Sequence, residues 1–510
     1  MVLKDTVRNQ PSPFGIMRPG PARGEVEEHP MNVSDYTRHD ALGLAALIAN
    51  KEVSAAEVSA AALQAIETVN PTVNAVVESW SDETPRGGDR SPPFYGVPFL
   101  IKDLAITMEG RRNELGSRLA EGIVAPSDSS LMRRFRNAGL VTIGRTSTPE
   151  FAISTTTEPV ATGPTRNPWN PRHGAGGSSG GAGAAVASGM VPVAHATDGG
   201  GSIRVPAASV GIFGLKPTRG RVSNGPDVDE VWSGLAVQFA VSRTVRDSAA
   251  LLDAVHGGEV GEPYYIAPPE RPYLSELGRD PGRLKIGVLL HPLNGRKTAA
   301  GVAAATSRTA RLCETLGHHV EEVTLDLGVS WDGFVHANAQ FWTANTAAWM
   351  DYIASVSGRA IDRSMLEPAT LAAYQFGRRV SGLDVLGALN VRNAVTRNIG
   401  RFFTQYDVLL SPTVPDLPPP IGEYNQGQEA LDGFQWVDRV FRRSPFTALA
   451  NVAGLPAMSM PLFTDTDNGM PVGSQFVAGF GREDLLFRLA GQLESAEPWI
   501  ERRPAVWAGH

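Results

Sequence analysis

The sequence predicts an α/β protein built around one large sheet. Short, nearly continuous apolar runs alternate with amphipathic helical stretches along most of the chain, and this alternation is typical of a sheet covered by helices. The 510 residues, 42% hydrophobic and 19% charged, suffice for a large core and exclude a disordered, collagen-like or coiled-coil chain. No internal repeat of fixed period interrupts the pattern.

The folded part is expected to begin with helices. Helical periodicity covers HDALGLAALIANKE and SAAEVSAAALQAIETVN, and the second stretch starts with a capping box of Ser54 and Glu57. The apolar run VPFLIK then predicts a buried strand. The alternation continues with helix LMRRFRNAG, strand LVTIGRT, helix GAGAAVASG and strand VPVAHAT, and then with strand LKIGVLL, a long helix and strand HVEEVTL.

Residues 331–405 are almost wholly helical in pattern and rich in aromatic residues, so we expect a helical insert that covers the sheet or lines a pocket. Strands return at YDVLLSPT, and a helix, two strands and a last helix close the chain. The proline-rich residues 1–33 predict a loose N-terminal extension. Because no strong linker divides the rest, residues 34–510 are predicted to form one domain.

Composition indicates which classes of partner the protein binds and which cellular compartment it occupies. A net charge of −7 without any block of like charges provides no basic segment that would bind nucleic acid or an anionic membrane. The single cysteine, Cys313, excludes an intrachain disulfide and favours a reducing compartment. The first thirty residues lack the apolar core of a signal peptide, and Gly180–Thr197 is too rich in glycine and alanine for a membrane span. A cytoplasmic location is therefore expected.

Two serine-containing segments lie in separate glycine beds. Glycines 176, 177, 180 and 181 surround Ser178 and Ser179, while glycines 199–201 lead directly into Ser202. Glycine is costly to order, so its use twice in this way indicates a site. Successive N–H groups in such a backbone can converge on an anion or a developing oxyanion. A serine beside them is a candidate nucleophile.

Lys102 ends the apolar run and is followed by Asp103. Two interpretations are open: an ion pair of Lys102 with Asp103 at the strand end, or a lysine that burial makes basic and neutral. The second requires the lysine pKa to fall by about 3 units, or roughly 4 kcal/mol. The glycine-bedded serines favour it. Asp198 and Arg204 bracket the second bed and are expected to hold its shape as an ion pair.

Other site types match less well. GGSSG fits the G-x-S-x-G pattern of an α/β-hydrolase esterase, but that turn needs a strand directly before it, and TRNPWNPRH is predicted to be a proline-broken loop. His173 and His195 are interpreted as structural. The chain has neither a phosphate-binding G-x-x-x-x-G-K-[ST] loop nor a metal-binding HExxH or cysteine pair, so no cofactor and no metal are expected.

These segments together resemble the amidase signature family. YGVPFLIKDL matches its lysine block, GGSSGG its first serine, and DGGGSIRVPAASVGIFGLKPTRGRVS its nucleophile block. Ser178 and Ser202 lie 24 positions apart, which is the spacing of the family. The resemblance covers about residues 35 to 508.

The resemblance implies a mixed central sheet with helices on both faces and a Ser-cisSer-Lys triad. In it, Ser202 is the nucleophile that accepts the acyl group, Ser178 follows a cis peptide after Gly177 and bridges, and Lys102 is the final base. The N–H groups of Gly199, Gly200, Gly201 and Ser202 form the oxyanion hole. The substrates are a small-molecule amide and water, no metal is used, and a homodimer is expected.

Two departures concern the pocket. Many members have threonine or isoleucine at the position of Gly199 and asparagine at that of Ser147. The setting AHATDGGGSIR is most similar to the branch with aminohexanoate cyclic-dimer (nylon oligomer) hydrolases and aryl-amide or carbamate hydrolases (urethanases). The alternative within the family is the amidase component of a tRNA-dependent amidotransferase. Candidates for an apolar pocket wall are Phe341, Trp342, Trp349 and Tyr374.

Overall fold

The computed structural model describes residues 31–86, 92–228 and 230–510. Within them, thirteen strands are found: β1 (Val76–Ser79), β2 (Pro98–Lys102), β3 (Val141–Thr146), β4 (Arg166–Asn167), β5 (Asn170–Gly174), β6 (Val193–Asp198), β7 (Phe213–Lys216), β8 (Val237–Ser242), β9 (Lys285–Val288), β10 (His319–Glu322), β11 (Val408–Pro412), β12 (Ala457–Thr464) and β13 (Pro471–Ala478). Eleven of these strands form one sheet, in the order β1-β3-β2-β6-β8-β7-β12-β13-β11-β9-β10.

The helices of the described residues are α1 (Val33–Arg38), α2 (Ala41–Ala49), α3 (Ala55–Val73), α4 (Ser130–Asn137), α5 (Gly180–Ala187), α6 (Arg204–Val210), α7 (Val231–Gly234), α8 (Val245–Val255), α9 (Ala300–Thr315), α10 (Trp331–Ser357), α11 (Pro368–Gly377), α12 (Gly382–Phe402), α13 (Gly433–Arg443), α14 (Ala448–Ala453) and α15 (Glu483–Ala496). Short 3-10 helices cover Arg118–Ala120, Glu150–Ala152, Tyr273–Glu276 and Gln428–Ala430. None of the described helices is both long and apolar enough to cross a bilayer.

The central sheet is mixed. β2 runs parallel to β3 and β6, while β6, β8, β7, β12, β13 and β11 follow one another in antiparallel pairs. The predicted α/β fold, with a mixed sheet and helices around it, is confirmed. Because β2 and β6 are parallel neighbours, with Leu100 opposite Ala194, their carboxyl ends bring Lys102 and Asp198 to the same edge of the sheet.

Most predicted elements are confirmed, and the differences have local causes. Ser54 and Glu57 form the expected capping box at the start of α3. The segment predicted to be a proline-broken loop instead contains β4 and β5, which pair only with each other in a small separate sheet. Proline is tolerated there because so short a ladder needs few backbone donors. Sequence reasoning did not recognise β7 and β8, which fill the centre of the large sheet.

Two apolar clusters organise the described residues. The larger one joins the sheet to helices such as α3 and α8, and the second is formed mainly by α10 to α14 with Trp232 and Trp342. Residues 31–510 form one compact unit. The predicted extension falls almost wholly outside the described residues. Residues 331–405 contain α10, α11 and α12.

Candidate active site

Lys102 lies at the end of β2, and its side chain is fully buried. Its Nζ atom is 2.7 Å from Ser178 Oγ, 2.8 Å from Thr197 Oγ1 and 3.1 Å from Ser179 Oγ. All three partners are neutral hydroxyl groups. A buried ammonium without a directly bonded carboxylate is unfavourable, so this environment favours the neutral amine.

The electrostatics agree with that geometry. Burial lowers the pKa of Lys102 well below its ordinary value, and the negative charge of Asp198 opposes the shift only in part. Asp103 does not pair with the lysine. It accepts from Arg145 Nη1 at 2.6 Å and from the Glu114 N–H at 2.7 Å. The alternative of a Lys102–Asp103 ion pair is therefore wrong.

The first glycine bed places Ser178 next to the Lys102 amine. The Gly177–Ser178 peptide bond is cis, and Gly176 has φ +76°. A Cβ atom on Gly177 would lie 2.7 Å from the backbone of Thr156, closer than real Cβ contacts allow. Position 177 therefore needs glycine for close approach of two backbone segments.

Ser202 follows β6 and is the most accessible of the three predicted catalytic residues. It is 5% exposed, whereas Lys102 and Ser178 are 0% exposed. The Ser179 N–H donates to the Ser202 carbonyl oxygen at 3.2 Å, which ties the two glycine beds together. Within the part of the chain that the structure describes, the Ser202 hydroxyl makes no hydrogen bond. It is the group of the three that a ligand can reach.

Of the four predicted oxyanion donors, three have no partner in the described ranges of the chain. Among the described residues, the N–H groups of Gly199, Gly200 and Ser202 have no hydrogen-bond acceptor. The structure differs from the expectation at Gly201, whose N–H donates to Asp198 Oδ1 at 2.7 Å. Because that donor is committed to a buried carboxylate, we leave Gly201 out of the anion-binding loop. Its φ of +135° instead serves to turn the chain.

Asp198 and Arg204 form the expected ion pair, and both side chains are 0% exposed. Arg204 donates through Nη2 to Asp198 Oδ1 at 2.9 Å and through Nε to Oδ2 at 3.0 Å. Burial would raise the pKa of Asp198, but Arg204 and nearby donors hold it below its ordinary value. The pair therefore remains ionised and fixes the turn before Ser202.

Sequence reasoning missed the groups that complete this ion pair. Arg204 Nη1 donates to Gln475 Oε1 at 2.7 Å and to the Thr447 carbonyl at 2.8 Å, and Asn451 Nδ2 donates to Asp198 Oδ1 at 2.9 Å. The Thr447 hydroxyl also donates to the Gly200 carbonyl at 2.6 Å. The only sequence signal was that these polar residues interrupt the apolar segments FTALANVAG and VGSQFVAG.

Replacing Arg204 by methionine is expected to lower the free energy of unfolding by about 3–5 kcal/mol, because the buried Asp198 charge loses its partner. The matched control is Arg378→Met, which breaks the surface pair with Asp351 at 2.7 Å and is expected to cost about 0–1 kcal/mol. Urea unfolding measures both values. Equal losses for the two variants would contradict a structural role of the buried pair.

The histidines take supporting positions. His195 Nδ1 accepts the Lys102 backbone N–H at 3.3 Å, and its Nε2 is paired with Gln238. Burial lowers the pKa of His195 to about 3, so its ring is neutral and supports the strand that carries the lysine. His173 Nδ1 is bonded to the Pro418 carbonyl at 2.7 Å. No group of three potential metal ligands occurs within residues 31–86, 92–228 and 230–510.

Trp232 and Trp342 lie over the glycine loop Gly199–Ser202. Their ring centroids are 4.5 Å apart. A Cβ atom on Gly199 would lie 2.7 Å from Trp232 Cε3, and one on Gly200 would lie 2.5 Å from Trp342 Cζ2. The glycine at position 199 is thus explained, because a side chain there and the ring of Trp232 cannot occupy the same space.

The predicted wall residues do not all reach this loop. Trp342 lies against Gly200. Phe341 lies under the Arg392 guanidinium, Trp349 packs edge-on against Phe151, and the Tyr374 hydroxyl donates to Asp351. Trp232 was missed because it lies outside the helical segment where the wall was sought.

Comparison with known proteins shows the family to which the chain belongs. The family model described as Amidase matches residues 55–487. The 6-aminohexanoate-cyclic-dimer hydrolase of Paenarthrobacter ureafaciens is 37% identical over 478 residues, which are 92% of this chain and 96% of that protein. A solved structure of 6-aminohexanoate cyclic dimer hydrolase has a TM-score of 0.88 at 36% identity and covers 92% of this chain and 99% of its own.

The alternatives are not favoured. The structure of a glutamyl-tRNA(Gln) amidotransferase component from Thermotoga maritima has a lower TM-score of 0.71 at 26% identity, covering 94% of this chain and 98% of its own. The strand before Ser178 belongs to a separate two-stranded sheet rather than to the large sheet that an α/β-hydrolase nucleophile turn requires. The chain therefore belongs to the amidase family, and it is a hydrolase of carbon–nitrogen bonds in small-molecule amides.

Proposed function

We propose that the chain hydrolyses amides through an acyl-enzyme on Ser202, with Ser178 as the proton bridge and Lys102 as the base. The carrying observation is the fully buried Lys102 amine at 2.7 Å from Ser178 Oγ. Lysine is an effective base only when it is neutral, and burial is a way to make it so.

The hydrogen bonds around the amine are compatible with proton transfer from Ser178 to Lys102. The Ser179 hydroxyl donates to the Thr197 carbonyl at 3.2 Å, so it can only accept from Lys102. A neutral amine has two hydrogens and one lone pair. If Ser179 and Thr197 take the two hydrogens, the lone pair is left for the hydroxyl hydrogen of Ser178. Ser178 can then accept the proton of Ser202 once the Ser202 hydroxyl, which makes no hydrogen bond within the described residues, turns toward it.

The reaction follows from this arrangement. Ser202 Oγ attacks the amide carbon while its proton passes to Ser178 and the proton of Ser178 passes to Lys102. The N–H groups of Gly199, Gly200 and Ser202 stabilise the oxyanion, and one such donor is worth about 3 kcal/mol. The C–N bond then breaks as the proton returns to the leaving nitrogen. Water attacks the acyl-enzyme by the same route and releases a carboxylic acid.

The substrates we propose are linear, cyclic or aryl amides, with carbamates as a further class. The similarity to 6-aminohexanoate-cyclic-dimer hydrolases supports cyclic amides with aliphatic chains. Trp232 and Trp342 over the glycine loop support substrates with an apolar or flat part. We expect the purified chain alone, without ATP, to cleave compounds from a panel of linear, cyclic and aryl amides and carbamates.

The rate of hydrolysis should depend on pH through Lys102. Since the base must be unprotonated, kcat/KM is expected to rise with pH through the lysine pKa and then to level off. Burial lowers that pKa well below its ordinary value, so the rise should be complete well below the range of a free lysine. The pH profile of the best panel substrate measures it. A rate that rises only above about pH 10, near the reference lysine pKa, would contradict the assignment.

We also propose a cytoplasmic homodimer. The support is the resemblance to the family and Cys313, which is buried and has no second cysteine to pair with.

A further inference from the structure

The indole N–H of Trp342 has no acceptor within the described part of the chain. Its side chain is 2% exposed, and Nε1 belongs to the few buried polar atoms of the described residues that lack a hydrogen-bond partner. Four other tryptophans of the chain donate to backbone carbonyl groups: Trp80 to Thr142, Trp169 to Val210, Trp436 to Ile153 and Trp499 to Arg243, at 2.7 to 2.9 Å. Because buried donors are normally paired, the unpaired N–H of Trp342 needs an explanation.

This N–H lies beside the anion-binding loop. The Trp342 atoms nearest to a Cβ built on Gly200 are Cζ2 at 2.5 Å, Cη2 at 3.0 Å and Cε2 at 3.7 Å. Nε1 is bonded to Cε2, so the N–H is on the same side of the indole as the ring atoms next to Gly200. Thr346, one turn further along α10, also has a buried hydroxyl without a partner among the described residues. Residues four apart share a helix face.

The ring is held in place by its neighbours. Trp232 packs against it with ring centroids 4.5 Å apart. Trp232 and Ser233 have φ of +53° and +54°, which is rare for residues other than glycine and persists only where surrounding contacts impose it. Asn345 Nδ2 donates to Ser233 Oγ at 3.0 Å, and Arg392 donates to the Ser233 carbonyl. The two indoles thus form a fixed apolar surface, and the buried, unpaired N–H of Trp342 lies at its edge.

We propose that Trp342 is a specificity-determining residue whose indole N–H binds a second hydrogen-bond acceptor of the substrate, such as a second carbonyl group. This inference rests on the proposed function, because the acceptor would belong to an amide held on the Gly199–Ser202 loop. A substrate with a second carbonyl satisfies the buried donor. A substrate with methylene groups in that place leaves it unpaired, and such a mismatch is a strong source of discrimination.

The test uses Trp342→Phe, which removes the N–H and keeps an aromatic ring. Three substrates with acyl chains of equal length are compared: the p-nitroanilides of nonanoic acid, of N-hexanoylglycine and of N-acetyl-6-aminohexanoic acid. The last two carry a second carbonyl at different distances from the scissile bond. We expect kcat/KM to fall about tenfold or more for at least one of them and less than about threefold for the nonanoyl anilide.

Trp349→Phe on the same helix is the matched control, and it should change all three values equally and little. A thermal melt checks that both variants are folded, and the cavity left by the smaller ring at the buried position is expected to lower the melting temperature of Trp342→Phe more than that of the control. Equal changes of kcat/KM for all three anilides would overturn the inference. The proposed function is judged separately, by whether Ser202→Ala abolishes turnover of the nonanoyl anilide.

Discussion

Replacing Ser202 by alanine is expected to lower kcat for amide hydrolysis by about 10⁴ to 10⁶-fold, since loss of a catalytic serine has effects of this size in serine hydrolases. Without Oγ there is no atom to carry the acyl group. The fold should be unaffected, because the hydroxyl makes no hydrogen bond within the described residues. Release of p-nitroaniline from an anilide substrate measures the turnover, and a thermal melt shows that the variant is folded.

A matched control is Ser209→Ala in α6, seven residues further along the chain. Its hydroxyl is buried and donates to the Val205 carbonyl at 2.8 Å, so the change costs a helix contact and leaves the reacting groups in place. Turnover is expected to stay within about threefold of the wild type.

A fluorophosphonate probe should label Ser202 in the wild-type chain, as found by peptide mapping. Labelling of Ser178 or Ser179 instead, or more than a few per cent of turnover in Ser202→Ala, would refute the role of Ser202.

The parts of the site that could be predicted from sequence are those that break a local rule. A lysine at the end of a wholly apolar strand and serines between runs of glycine are each out of place in an ordinary core. The alternation of strands and helices also predicted the strands β2 and β6, although it did not show that they are parallel neighbours. Their ends account for the approach of Lys102 to the second glycine bed.

The parts that could not be predicted depend on contacts between distant segments. Trp232 lies 33 residues after Gly199, and Asn451 and Gln475 reach Asp198 and Arg204 from 247 to 271 residues away. A tryptophan or asparagine in those positions follows the ordinary pattern of its own segment, so no local signal marks it. The partners of the glycine loop Gly199–Ser202 could not be predicted from the sequence either. Its glycine spacing did not reveal that the Gly201 N–H is used by Asp198.

Replacing Lys102 by methionine should lower kcat/KM by about 10² to 10⁴-fold, the usual worth of a general base. Methionine fills similar space without a lone pair on nitrogen, so Ser178 can no longer give up its proton. The pH-dependent rise of the rate should disappear together with the activity. Lys102→Arg should be equally impaired, because a guanidinium stays protonated in proteins and cannot accept a proton at any working pH.

Lys216 supplies the control that separates position from burial. It is also 0% exposed, and burial, followed by the Arg204 charge, lowers its pKa to about 7. Its amine donates to the Pro217 carbonyl at 2.8 Å and to no serine hydroxyl within the described residues. Lys216→Met therefore removes a second buried amine with a lowered pKa, and it should keep kcat/KM within about tenfold of the wild type. If the two methionine variants lost activity equally, a base at position 102 would be the wrong explanation. A large loss confined to Lys102 would leave its 2.7 Å contact with Ser178 as the feature that distinguishes the two amines.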